Sequence, residues 1–87
     1  MSLYKFSNLH FEAPSDGVFE REPKKEKLTT VFVNAQHLVS LEARALYVAN
    51  NNNPSCYELK IGLVTGSILT FVTDVVSFKN FAKTGNA

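Results

Sequence analysis

The most reactive side chains in this sequence belong to one cysteine, Cys56, and two histidines, His10 and His37. A cysteine thiolate activated by a histidine is a nucleophile for acyl transfer. No catalytic signature surrounds Cys56, and a lone cysteine usually packs as a small apolar residue. We therefore interpret Cys56 as a packing residue.

The two histidines lie 27 positions apart, and neither has a further ligand residue at the spacing of a metal site. His10 lies between Leu9 and Phe11 in a strand pattern, which predicts that its ring points outward. The glycines of Gly62–Gly66 belong to a strand and a turn, and no Lys-Ser or Lys-Thr pair follows them, so they do not form a phosphate loop. The sequence thus predicts a protein that is not an enzyme and that has no cofactor and no metal.

Three lysines lie close together in a charged segment: Lys24, Lys25 and Lys27. Glu22 and Glu26 interleave with them and cancel much of their field. Binding of single-stranded nucleic acid also needs aromatic faces beside basic groups on a sheet. Tyrosines in predicted strands could supply such faces: Tyr4, Tyr47 and Tyr57. Nucleic-acid binding by a small β domain is therefore the alternative function.

The first third of the chain alternates between strand and turn patterns. Apolar residues recur with a period of two over Tyr4–Phe11, with a phase slip at Asn8, which predicts one strand with a bulge or two short strands. Ala13–Gly17 has the composition of a turn, after which Val18 and Phe19 could pair back. The mixed charges that follow, up to Lys27, indicate a solvated loop or a guarded sheet edge.

The middle of the chain is rich in β-branched residues. Leu28–Val33 predicts a strand, and Leu38–Ala43 predicts that extended structure resumes after a break. A short helix over Ala35–Ala45 is the competing interpretation, because its leucines also fit one helical face. Asn50–Ser55 predicts a loop.

The last third carries the clearest pattern. The alternation of Tyr57–Leu63 predicts a half-buried strand, and the turn at Thr65–Gly66 predicts antiparallel pairing with Ser67–Thr73. Asp74 then suits the N-cap of a helix, since its carboxylate can accept hydrogen bonds from the first turn. Apolar residues at helical spacing follow it: Val75, Phe78, Phe81 and Ala82.

Length and composition bound the remaining possibilities. The 87 residues give room for one domain, residues 1–87, and a core of that size is thin enough that dimerisation would help it. A formal net charge of +1 gives no general attraction to nucleic acid or to an anionic membrane. A single cysteine cannot form an intrachain disulfide, which favours a cytoplasmic protein. The uncharged run Ile61–Thr73 is shorter than the ~20 apolar residues that span a bilayer.

Three stretches resemble a known family. Val31–Glu42 resembles a "yVNpdlIesIE" motif, Leu59–Gly66 resembles a "vItLtnGk" hairpin, and Val72–Phe78 resembles the entry to a helix that follows. These are motifs of the small FlbD-like proteins of flagellar operons, and similar patterns recur in short phage and mobile-element proteins. The resemblance covers about residues 30–83. It implies a compact sheet with a terminal helix in a bacterial cytoplasm, and it implies no catalytic residues.

Together these observations predict an α+β domain. We expect a small, strongly bent antiparallel sheet, for which an SH3-like open barrel is one form, with one C-terminal helix from about Asp74 to Lys83. We expect the function to be that of a non-enzymatic interaction module, which forms a homo-oligomer or binds a protein partner. The apolar stripe of the helix is the candidate interaction surface: Val75, Phe78, Phe81 and Ala82.

Overall fold

A computed structural model describes residues 3–9 and 11–85, in which six strands are followed by one α-helix. The strands are β1 (Leu3–Leu9), β2 (Val18–Phe19), β3 (Lys27–Asn34), β4 (Leu38–Val48), β5 (Cys56–Leu63) and β6 (Ile68–Asp74). The helix, α1, spans Val75–Gly85, and a 3₁₀ turn at Ala35–His37 joins β3 to β4. The predicted α+β class with a C-terminal helix is therefore confirmed.

The strands form one open, mixed sheet in the order β2-β4-β5-β6-β1-β3. The sheet is antiparallel as predicted except at one edge, where β2 runs parallel to β4 with Val18 opposite Tyr47. The turn before β2 explains this direction. The Arg44 guanidinium of β4 donates hydrogen bonds to the carbonyls of Pro14 and Ser15, which fixes how the chain approaches the edge of β4.

The short link between β3 and β4 requires the sheet to bend. Four strand spacings separate β3 from β4 in the sheet order, which is about 19 Å in a flat sheet. The chain from Asn34 to Leu38 can reach at most about 14 Å, and a 3₁₀ turn shortens it further. The sheet therefore curves so that β3 approaches the start of β4, as the strongly bent sheet of the sequence prediction requires.

Each face of the sheet has its own apolar cluster. Phe6, Val33, Leu59 and Ile61 are buried beneath α1. Four further residues are buried on the opposite face, beneath Phe11, Ala13 and Phe19: Leu9, Leu46, Cys56 and Val72.

The presence of one apolar cluster on each face of the sheet explains the phase slip near Asn8 in the sequence. Phe6 and Leu9 lie three positions apart and belong to the two different clusters, so successive apolar residues of β1 change face. The predicted bulge is confirmed as a register shift between Asn8 and Leu9, which leaves Leu28 of β3 without an opposite residue.

The predicted hairpin is confirmed. β5 and β6 pair antiparallel from Cys56 opposite Asp74 to Gly62 opposite Ile68. Gly66 in the connecting turn has a φ of 90°, the left-handed region that glycine adopts without strain. The alternate residues of β5, from Tyr57 to Leu63, all contribute to the cluster beneath α1.

The interpretation of residues 35–45 as a helix is wrong beyond its first turn. Only Ala35–His37 is helical, as a 3₁₀ turn capped by the Asn34 side chain, which accepts from the Gln36 N–H. Leu38–Val48 is a strand that pairs with β5 along most of its length. The prediction that extended structure resumes at Leu38 is confirmed.

Candidate functional site

The helical stripe proposed from the sequence faces the sheet. Phe78 stacks on Tyr57 with ring centroids 4.2 Å apart, and Phe81 meets Tyr4 edge-on at 4.8 Å. All four residues of the stripe, Val75, Phe78, Phe81 and Ala82, are half-buried. Most of the stripe is therefore engaged within the molecule, and any role in binding a partner would use only the part of each side chain that stays exposed.

Two side chains fix the start of α1. The Asp74 carboxylate accepts a hydrogen bond from the Ser77 N–H at 2.7 Å, which confirms the predicted cap. The Ser77 hydroxyl accepts from the Ser7 N–H at 3.2 Å and so ties the helix to β1. This second bond also shows that the Ser7 N–H points away from β3.

Cys56 is completely buried in the cluster below Phe11 and Phe19. Burial raises the pKa of its thiol, because the thiolate loses solvation there. Next to it the Ser55 hydroxyl donates to Glu22 Oε1 at 2.9 Å. Lys25 Nζ contacts the same carboxylate oxygen at 2.7 Å, and these two bonds hold the Glu22 pKa below its usual range.

The structure does not bring Cys56 and His37 together. Cys56 begins β5, whereas the His37 carbonyl accepts from the N–H of Val64, just beyond the other end of that strand. Eight residues of extended chain put the two ends about 25 Å apart. His10, the other histidine considered, lies outside the described residues. Across the described ranges, no three metal-ligating side chains cluster.

A different surface emerges at β3, which lies at the end of the sheet order and has β1 as its strand neighbour. Because the Ser7 N–H turns towards α1, Ser7 and Thr30 form a pair without mutual hydrogen bonds in the β1–β3 ladder. Along an antiparallel ladder, pairs that exchange hydrogen bonds alternate with pairs that do not, so Lys5 and Phe32 also form a pair without mutual hydrogen bonds. The backbone N–H and C=O groups of Thr30 and Phe32 therefore point outward. We call this the β3 edge, defined by the outward backbone groups of Thr30 and Phe32 and by the Phe32 ring.

Phe32 gives the β3 edge an apolar side chain. Val31 and Val33 contribute to the cluster beneath α1, so Phe32 between them lies on the other face and is 59 % exposed. A run of three apolar residues is typical of a strand covered on both faces. Among the described residues, only one face of this part of β3 has such a cover.

A groove of about 260 Å³ adjoins the β3 edge. Its walls come from four strands and the 3₁₀ turn, and include Leu3, Phe32, His37, Leu63 and Leu69. We call this the Leu3–Phe32 groove. Leu3 is 55 % exposed and Val64, which is hydrogen-bonded to the His37 carbonyl, is 62 % exposed, so the groove continues into further apolar surface.

No residue of the β3 edge carries reactive chemistry, so the sequence did not point to this surface. The signal that could have found it is the run Val31–Val33, whose middle residue needs a cover that the sequence does not otherwise provide. Recognising that need requires knowing that β3 ends the sheet, which depends on the pairing of distant strands.

The charged segment before β3 offers no concentrated positive field. Lys24 pairs with Glu26 at 2.9 Å, and Lys25 pairs with Glu22. One basic residue does lie beside an exposed ring, because Lys5 is directly opposite Phe32 in the β1–β3 ladder. That pair is the part of this face that resembles a surface for nucleic acid.

Comparisons with protein-family models, with curated proteins and with solved structures return no match. The resemblance to FlbD-like proteins stays a prediction. The helix of the described chain is too short to cross a membrane.

Proposed function

We propose that this protein is a non-enzymatic interaction module whose working surface is the β3 edge together with the Leu3–Phe32 groove. The observation that carries the proposal is the combination of outward backbone groups at Thr30 and Phe32 with a large apolar ring that is 59 % exposed. An unpaired strand edge offers a row of donors and acceptors that another extended segment can complete. Apolar side chains beside the edge add affinity by leaving water.

The chemistry of this surface selects an extended polypeptide as its ligand. No ionisable group lies on β3 between Leu28 and Asn34, so a partner strand would meet uncharged residues there. The groove would take an apolar side chain of the partner, held between Leu3 and Leu69. The free thiol of Cys56 fits the reducing conditions of a cytoplasm, where we place the protein.

The test compares three forms of the full chain as bait in a lysate of the source organism. Phe32→Lys places a charge on the β3 edge, and Val76→Lys places the same charge at an apolar residue of α1 that is 66 % exposed. We expect quantitative mass spectrometry to find proteins, this chain itself included, that wild type and Val76→Lys enrich and that Phe32→Lys does not. Enrichment that is equal for all three baits, or no enrichment, would contradict the proposal.

Nucleic-acid binding is a second candidate, favoured by Lys5 opposite the exposed ring of Phe32. Base stacking on such a ring would be lost in Phe32→Ala, and the phosphate contact would be lost in Lys5→Ala. Fluorescence anisotropy with a labelled single strand of DNA measures both. Binding that neither substitution weakens would exclude this face as the nucleic-acid surface.

A further inference from the structure

The molecule exposes more surface than an average monomer of its mass. The chain exposes 5904 Å², whereas a monomeric protein of 9.7 kDa exposes roughly 5,100 Å². The excess, about 800 Å², matches what each partner buries in a standard protein–protein interface. Eight large apolar residues are exposed in the described chain, and three of them lie on β1 and β3: Leu3, Leu28 and Phe32.

The charge of the chain permits a second copy as the partner. The formal net charge is +1, so two copies repel each other very little. Lysine is the residue with which sheets commonly protect an edge, and β3 has one only at its first position, Lys27. From Leu28 to Asn34 the strand has neither charge nor proline, so an identical strand can approach it.

We propose that the β3 edge is the interface of a homodimer, in which two β3 strands pair antiparallel across a two-fold axis at Phe32. The homodimer rests on the proposed function, since a second copy of the chain would be the partner that occupies the same surface. A two-fold axis at Phe32 brings the outward backbone groups of the two Phe32 residues together and places Thr30, whose groups also point outward, opposite Asn34, the last residue of β3 in the second copy. An axis nearer the start of β3 would include the register shift at Leu28, where regular pairing is interrupted.

Pairing at this position covers the surface that the sheet leaves open. The two Phe32 rings would lie side by side on the face opposite α1, each beside the Leu3–Phe32 groove of its own copy. The two sheets would then continue into one another through β3, with the helices outside the contact.

The first test is the mass of the full chain in solution by light scattering, with far-UV circular dichroism to verify folding. We expect wild type and Val76→Lys to give about twice 9.7 kDa at micromolar concentration, and Phe32→Lys to give the monomer mass. A wild type with the monomer mass overturns the homodimer, and so does an equal mass for Phe32→Lys and Val76→Lys.

A second variant tests the backbone hydrogen bonds separately from the ring. Thr30→Pro removes an N–H that points away from β1, so the β1–β3 ladder keeps its bonds. We expect the dimer to weaken by roughly tenfold or more, since symmetry repeats the loss in both copies. An unchanged dissociation constant for a folded Thr30→Pro would show that the strands do not pair through this edge.

Cross-linking decides the register and does not depend on how the lysine variant folds. Residues facing each other across the axis have Cα atoms about 5.5 Å apart, within the range of a disulfide. Phe32→Cys should therefore form a covalent dimer under mild oxidation, much faster than Val76→Cys. Equal rates overturn the proposed pairing.

The results for the homodimer and for the interaction module can be told apart. If wild type is monomeric and yet captures another protein through Phe32, the homodimer is wrong while the interaction module stands. If wild type neither dimerises nor captures another protein, both proposals fail.

Discussion

Thr73 is completely buried on β6, and its hydroxyl has no hydrogen-bond partner among the described residues. An unsatisfied buried hydroxyl costs stability because it loses its bonds to water. We expect Thr73→Val, which has nearly the same shape, to raise the free energy of unfolding by about 1 kcal/mol. Chemical denaturation measures this change. Thr70→Val, at an exposed position of the same strand, controls for the β propensity of valine, and a less stable Thr73→Val would show that the hydroxyl is bonded in solution.

The Cys56 thiol should be inert in the folded protein. It is fully buried and its pKa is raised, so little reactive thiolate forms. We expect a thiol reagent to label Cys56 only as fast as the chain unfolds, whereas an added Val76→Cys thiol should react at once. Rapid labelling of wild type would instead show an accessible nucleophile.

The same raised pKa gives a pH dependence with a definite sign. The folded state favours the protonated thiol, so this contribution to stability is fully present below the unfolded pKa of about 8.5. It is lost as the pH rises from there through the folded pKa. Denaturation of wild type and Cys56→Ala at pH 7 and pH 10 isolates the contribution, because the alanine variant lacks it.

At the scale of elements, α1 is a cover for the sheet. Phe78 stacks on Tyr57 and also lies near Phe81, so Phe78→Ala removes packing from the main cluster. Because the ring is only half-buried, we expect a loss below the ~3–5 kcal/mol of a fully buried phenylalanine. Asp74→Ala should cost about 1 kcal/mol through the lost cap. An unchanged melting temperature for Phe78→Ala would mean that the helix does not belong to the core.

The features predicted correctly are those that neighbouring residues determine. The alternation of Tyr57–Leu63, the turn at Gly66 and the cap at Asp74 each depend on a few adjacent positions. The parallel direction of β2 and the exposure of Phe32 depend on which distant strands become neighbours. Nothing in the local sequence of β3 states that it ends the sheet. That is why the sequence directed attention to the helix stripe rather than to the β3 edge.

At the scale of the whole molecule, β1 and β6 share one ladder position among the described residues, Leu9 opposite Val72. Every other strand pairing lies either within β1–β3 or within the group of β2, β4, β5 and β6. The sheet is therefore two separately hydrogen-bonded units, joined by that position, by side-chain packing in both apolar clusters and by the packing of α1 on both. Units that share so few backbone hydrogen bonds can open one at a time.

The consequence is a difference in native-state amide hydrogen exchange between two equally buried residues. Phe6 and Leu59 are both completely buried, but Phe6 belongs to the β1–β3 unit and Leu59 to the larger one. We expect the Phe6 amide to exchange through a partial opening of lower free energy, and the Leu59 amide to exchange only when the whole chain unfolds. Equal protection of both amides would mean that the Leu9–Val72 position, the shared apolar clusters and the helix together make the molecule one cooperative unit. Unequal protection would make the β1–β3 ribbon a foldon of its own, which can detach and rejoin while the rest of the protein keeps its structure.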